Sequence, residues 1–196
     1  MPRAGLDPAA VIAAGAALAD EIGFANLSMG LLAERLGVRT PSLYKHVASL
    51  EALRRGIAVQ AKRELGATLS RAAVGLSGPA AVRAFADAYR RWALDHPGRY
   101  AASIRAPEPG DEEDLRVSTD ALQILYDVLA GFGHSRSVDA ARVVRSALHG
   151  FAALESAGGF GLPDDLDDSF TLLVDTLVTG LSADERGVTG NRAGQA

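Results

Sequence analysis

The chain has 196 residues, a formal net charge of −4, 48% hydrophobic residues and no cysteine. That length fits one domain or two small ones with a sizeable core, and the absence of cysteine excludes a disulfide framework or a thiolate metal site. No uninterrupted apolar run approaches the ~18 residues of a membrane span, and the opening Met-Pro-Arg-Ala-Gly-Leu-Asp-Pro lacks the order of a signal peptide, so a cytoplasmic protein without membrane contact is expected.

In chain order almost everything reads as helix. Asp7-Pro8 opens a first helix whose face is carried by Val11, Gly15, Leu18 and Ile22. Ser28 is the expected cap of a second, with Met29, Leu32, Ala33 and Leu36 in phase and Gly37 closing it in a left-handed conformation. Thr40 is expected to cap a third helix running to His46, with Pro41 at its first position. Only Leu43 and Val47 are apolar and in phase there, which leaves Thr40, Ser42, Tyr44, Lys45 and His46 for solvent or a ligand. A short helix with a polar and aromatic free face suits a DNA groove better than a core.

Ser49 caps a long helix to about Ala73, and Leu76-Ser-Gly-Pro79 breaks the chain. Further helices are expected from Pro79 to Asp95, Gly98 to Arg105, Asp111 to Gly131, Ser137 to Gly158 and Asp164 to Gly180. The polar segment from Ala183 to Ala196 reads as a disordered tail. No alternating strand pattern occurs, so the fold class is all-α with about nine helices. The division is an N-terminal three-helix helix-turn-helix domain over 1–56, a larger helical body over 57–182, and the tail over 183–196.

Charge is unevenly placed. Residues 1–65 hold 8 Lys/Arg and 6 Asp/Glu, whereas residues 66–196 hold 12 and 18. A mildly basic head on an acidic body turns the head toward phosphates.

The segments Ile22-Gly-Phe-Ala-Asn-Leu-Ser28, Ala33-Glu-Arg-Leu-Gly-Val38, Pro41-Ser-Leu-Tyr-Lys-His-Val47 and Leu50-Glu-Ala-Leu53 resemble the N-terminal domain of a TetR-family transcriptional regulator, in register over roughly residues 7–56. His96-Pro97-Gly98 and Leu148-His149-Gly150 resemble the subgroup with a Trp-His-Gly signature in its C-terminal domain, with Leu148 in place of the tryptophan. The resemblance implies that 57–182 is a ligand-binding and dimerisation domain and that the chain is a dimeric repressor of a palindromic double-stranded DNA operator, released by a small-molecule effector and needing no cofactor. By position it puts Thr40, Pro41, Ser42 and Tyr44 at base edges and Ser28, Lys45 and His46 at phosphates, in keeping with the chemistry of hydroxyls, rings and cations. Two positions depart from the family pattern: Leu50 stands where a lysine is usual, and Gly30 where a polar or basic residue is common. Arg39 or Arg3 is the candidate replacement for that phosphate anchor. The duller alternatives are that Tyr44 packs against Val47 and Leu53 and that His46, Arg39 and Lys45 are plain surface groups. Arg54 and Arg55 read as solvated or salt-bridged.

Phe85, Tyr89 and Trp92 share one helix face, with Tyr100 beyond the break. They read either as core or as the wall of a largely apolar effector pocket, with Leu122, Tyr126, His149 and Phe151 opposite. His149 reads alternatively as an interface residue. A dimer seam is expected on the last two helices, through Val144, Leu148, Phe170, Leu173, Val174 and Leu177; the alternative is that both helices simply finish the monomer core.

Catalytic signatures are missing. The four histidines are scattered, and no nucleophile elbow, phosphate-binding loop or dinucleotide fingerprint is present. Asp111–Asp114 and Asp164–Asp168 resemble metal bait, but each opens a helix, where acidic residues favour the N-terminal dipole. No metal is expected. The competing class is an all-α small-molecule-binding enzyme or helical interaction protein without DNA binding.

Overall fold

The computed structural model describes residues 6–133 and 138–190, with side chains through Ala183. Those residues form nine α-helices and no strand: α1 (Pro8–Ile22), α2 (Met29–Arg35), α3 (Thr40–Leu43), α4 (Leu50–Ala73), α5 (Gly78–Asp95), α6 (Pro97–Ser103), α7 (Glu112–Ala130), α8 (Val138–Ser156) and α9 (Leu166–Gly190). A 3-10 turn, Phe24–Asn26, joins α1 to α2. Arg3, His134, the lead-in Ser135–Ser137 and residues 191–196 of the expected tail lie outside the described residues.

Local chemistry sets the helix starts. Asp7 Oδ1 accepts from the Ala10 amide at 2.7 Å, Ser28 Oγ from Leu31 at 3.3 Å, and Ser49 Oγ from Ala52 at 3.0 Å. Two endings differ from expectation. α3 is a short helix followed by turns, and its cap is Arg39, whose carbonyl accepts from Ser42; Thr40 is the first helical residue and carries no cap bond. α9 runs on through Gly180 to Gly190. One glycine inside a helix costs only about 1 kcal/mol, and no proline follows to stop propagation.

The chain divides into two compact units, which differ from the linear division of the sequence. One is Met1–Leu65 with Asp95–Thr119, the other Gly66–Leu94 with Asp120–Ala196. In the first, Val11, Leu27, Leu32, Leu43, Leu53 and Ile57 are fully enclosed, and α6 adds Ala102 to the same core. Helix α6 belongs here because Gly98 lets its backbone touch α1: a Cβ at 98 would lie 2.1 Å from the Ala19 carbonyl oxygen. Next to that contact, Asp20 accepts from the Arg99 amide at 2.8 Å and from Arg99 Nε at 2.6 Å, while Arg99 Nη1 donates to Glu64 at 2.8 Å.

In the second unit Val82 and Phe85 of α5, Val144 and Leu148 of α8, and Phe170 and Val174 of α9 are buried. Arg90 sits 4.8 Å from the Phe170 ring centroid and 5.4 Å from that of Phe151, and it donates to both carboxylate oxygens of Glu155 and to Asp167. The guanidinium is thus fully paired before aromatic rings cover it. No described helix is long and apolar enough to cross a membrane.

Candidate nucleic-acid interface

The turn between α2 and α3 is what exposes the reader. Gly37 has φ +64°, the Val38 amide donates to Ala33 O and the Gly37 amide to Glu34 O. This Schellman closure satisfies the last carbonyls of α2 while reversing the chain. Arg35 forks onto both oxygens of Glu21, at 2.5 and 2.7 Å, and so ties α2 to α1; the same contact lowers the Glu21 pKa. Leu43 and Val47 are buried and anchor the reader segment from beneath.

Tyr44 is 52% exposed, which removes the alternative of a tyrosine packed in the core. Pro41, Arg39 and Lys45 are exposed as well, and Thr40, Ser42 and His46 are half-buried. No ion pair or hydrogen bond engages the side chains of Arg39, Lys45 or His46 among the described residues. Ser28 is half-buried; its oxygen accepts from Leu31, leaving its hydroxyl hydrogen for an outside acceptor. The segment therefore presents hydroxyls, a ring and unspent cations on one rigid support. Gly30 is exposed and open: a Cβ there would meet only Ser28 Oγ, at 3.9 Å. Leu50 is half-buried against the core, so its apolar side chain is used for packing.

Two arginines set aside on sequence grounds are engaged. Arg54 Nη2 donates to the carbonyls of Ala25 and Leu27 at 3.3 and 3.4 Å, holding the approach to α2. Arg55 forks onto Asp111 and also reaches Glu113 at 3.1 Å; Arg63 binds Glu113 at 2.6 Å, and Lys62 binds Asp114 at 2.5 Å. The acidic run at 111–114 is therefore a clasp on α4. Its partners lie at least 50 residues away in sequence, where no local pattern could name them. No group of residues suited to a metal ion occurs among the described residues.

The remaining expected sites are partly rearranged. Phe85, Tyr89 and Trp92 are buried in the second unit, whereas Tyr100 is buried in the first. Leu122 is 38% exposed, bordering the solvent face that carries Asp120, Gln123 and Asp127. Tyr126 and His149 are half-buried. Phe151 packs on Phe160 and Phe170, with centroids at 4.9 and 5.1 Å, so its ring belongs to the cluster around Arg90. Of the expected seam, Val144, Leu148, Phe170 and Val174 are buried within their own chain, where α8 and α9 pack on each other and Arg90 of α5 reaches both. Leu173 and Leu177 are half-buried. The large apolar residues left exposed on these helices are Val138, Val143 and Leu154 on α8 and Leu172 on α9.

An N-terminal helix-turn-helix with an exposed reader, followed by a larger helical body, defines a DNA-binding transcriptional regulator. Residues 11–57 match the family description "Bacterial regulatory proteins, tetR family", and residues 82–177 match "Tetracyclin repressor-like, C-terminal domain". The chain is 38% identical over 167 residues to the HTH-type transcriptional regulator Rv0681 of Mycobacterium tuberculosis, covering 83% of this chain and 75% of that protein. Among solved structures it is similar to a single-substitution variant of TetR from Acinetobacter baumannii AYE in complex with minocycline, with a TM-score of 0.68 at 26% identity over 92% of this chain and 99% of the other. It also shares the fold of BioQ with its double-stranded DNA operator, with a TM-score of 0.66 at 24% identity over 91% and 99% of the two chains. The chain belongs to the TetR family, and it is a transcriptional regulator rather than an enzyme.

Proposed function

We propose that this chain is a repressor that binds a palindromic operator as a homodimer and is released by a small, largely apolar organic molecule. The observation that carries the reading is the reader segment: Tyr44 stands in solvent, flanked by the uncommitted cations Arg39 and Lys45, on a support fixed by Leu43 and Val47. Thr40, Pro41, Ser42 and Tyr44 contact base edges and thymine methyls; Ser28, Arg39, Lys45 and His46 contact phosphates.

The dimer seam proposed is the outer face of α8 and α9. On α9, Ser169, Leu172, Leu173, Thr176 and Gly180 form an uncharged stripe at helical spacing; on α8, Val143, Ala147, Gly150 and Leu154 do the same. Small residues allow close approach, and a two-fold pairing buries both stripes in a four-helix bundle. The effector pocket is proposed around Phe85, Tyr89 and Trp92, and the relative solved with minocycline supports a ligand of that size class. Helix α4 begins just after the reader segment, and its displacement when ligand binds is the proposed route from effector to reader. Half-sites one turn apart demand readers about 34 Å apart, and a few ångströms of change lose the fit.

The test is selection of a duplex from random DNA by the full chain, followed by fluorescence anisotropy against salt. A palindromic consensus is expected, with affinity falling steeply as salt rises through counterion release and lost in Tyr44→Ala. No selected sequence, or binding indifferent to salt and to Tyr44→Ala, overturns the reading in favour of a helical protein that does not bind DNA.

A further inference from the structure

Within the first unit, a groove of about 470 Å³ opens between the start of α4 and the connector from α6 to α7. Its α4 wall is Glu51, Ala52, Arg54, Arg55 and Ala58; the facing wall is Arg105, Ala106, Glu108, Asp111 and Asp114. It includes none of Phe85, Tyr89 and Trp92.

Despite seven charged residues, the walls are mostly carbon, since three alanines and the stems of the arginines supply much of them. The deep acids are spent: Asp111 is held by Arg55, and Asp114 by Lys62 and Ser118. The bases are not. Arg54, which lines the groove, has its Nη2 on the Ala25 and Leu27 carbonyls, while its Nε is buried with no hydrogen-bond partner. Nε faces protein and is closed to a ligand, but Nη1 of the same guanidinium also has no partner among the described residues and is not enclosed, so it is the N–H open to a ligand oxygen. Across the groove, Arg105 has a loose pair with Glu108, at 3.8 Å, and is half-exposed. Glu51 and Glu108 stand exposed at the rim, where they disfavour a second negative charge.

We propose that this groove is a binding site for a small amphiphilic monocarboxylate, its head between Arg54 and Arg105 and its apolar body along Ala52, Ala58 and Ala106. The site is separate from the effector pocket proposed above, and its effect on DNA rests on that reading of the chain as an operator-binding regulator. Arg54 also fixes the carbonyls just before Ser28, so a carboxylate on its guanidinium draws on the same side chain that positions α2, and occupancy weakens operator binding.

The experiment is calorimetric titration of the full chain with hexanoate, octanoate, benzoate and phenylacetate, with hexanamide and hexylamine as controls, and operator anisotropy with and without each carboxylate. Saturable carboxylate binding is expected, at least about tenfold tighter than the amide. It is lost in Arg54→Met and in Ala106→Trp, the latter filling the groove from a solvent-exposed position that leaves the core intact. By linkage, operator DNA and carboxylate must weaken each other by the same factor. No binding by any of the four at millimolar concentration, binding that survives Ala106→Trp, or binding without effect on a selected operator overturns the proposal. A chain that binds no duplex overturns the repressor reading instead, and the titration still judges the groove.

Discussion

Lys62 Nζ lies 2.5 Å from Asp114 Oδ1, and each residue is only 5% exposed. Burying two charges is costly, and their attraction offsets the cost only while both are present. Removing one partner leaves an uncompensated charge in the core between α4 and α7. We expect Lys62→Met or Asp114→Leu alone to cost about 3–5 kcal/mol in urea unfolding, and the double variant to recover most of that. Additive losses in the double variant would show that the two side chains contribute separately.

The neighbouring pair titrates. Hydrogen bonds from Arg55, then from the Asp114 amide, hold the Asp111 pKa at about 2, against an ordinary 3.8. Glu113 is lowered chiefly by Arg63 and then by Arg55. A depressed folded-state pKa contributes stability that is fully present above the unfolded value and is lost as pH falls through the folded one. Asp111→Asn should therefore be less stable than the parent at neutral pH, and the gap should close as pH drops from 3.8 toward 2. Unfolding curves across that window check it; a gap that stays constant with pH would mean the aspartate stabilises through packing alone.

What could be read in the sequence was local. Caps at Asp7, Ser28 and Ser49 and the left-handed Gly37 depend on neighbours within five residues, so those helix starts and the turn were legible, whereas the reader helix ends at Leu43 instead of His46 and takes Arg39 instead of Thr40 as its cap. The exposed ring of Tyr44 followed from the phase of Leu43 and Val47. The clasp did not, because 52 residues separate Lys62 from Asp114. Nor could an apolar stripe as wide as that of α9 say which half meets its own core: Val174 is buried while Leu172 is 68% exposed.

Gly30 offers a gain-of-function test. It is exposed, a Cβ there meets nothing closer than 3.9 Å, and it sits in the first turn of α2, where a phosphate is expected. Gly30→Lys should fold normally, bind the operator more tightly at low salt, and steepen the slope of log affinity against log salt by about 0.9. Glycine inside a helix also costs about 1 kcal/mol, so stability should not fall. An unchanged slope would remove residue 30 from the phosphate contacts and leave Arg39 and Lys45 as the anchors.

The proposed seam separates two positions two residues apart on α9. Leu172 is largely exposed in the single chain and Val174 is 3% exposed. If a second copy covers Leu172, then Leu172→Asp leaves the monomer's helical content and core intact but places a charge in an apolar interface. Sedimentation should then report a monomer, and cooperative operator binding should be lost. Val174→Asp, by contrast, puts an unpaired carboxylate into the chain's own core and should unfold it, since an isolated buried charge is strongly unfavourable. Should Leu172→Asp sediment like the parent as a dimer, the α9 stripe is no part of the seam, and the α8 stripe with Val143 and Leu154 is the half of the proposal left to charge.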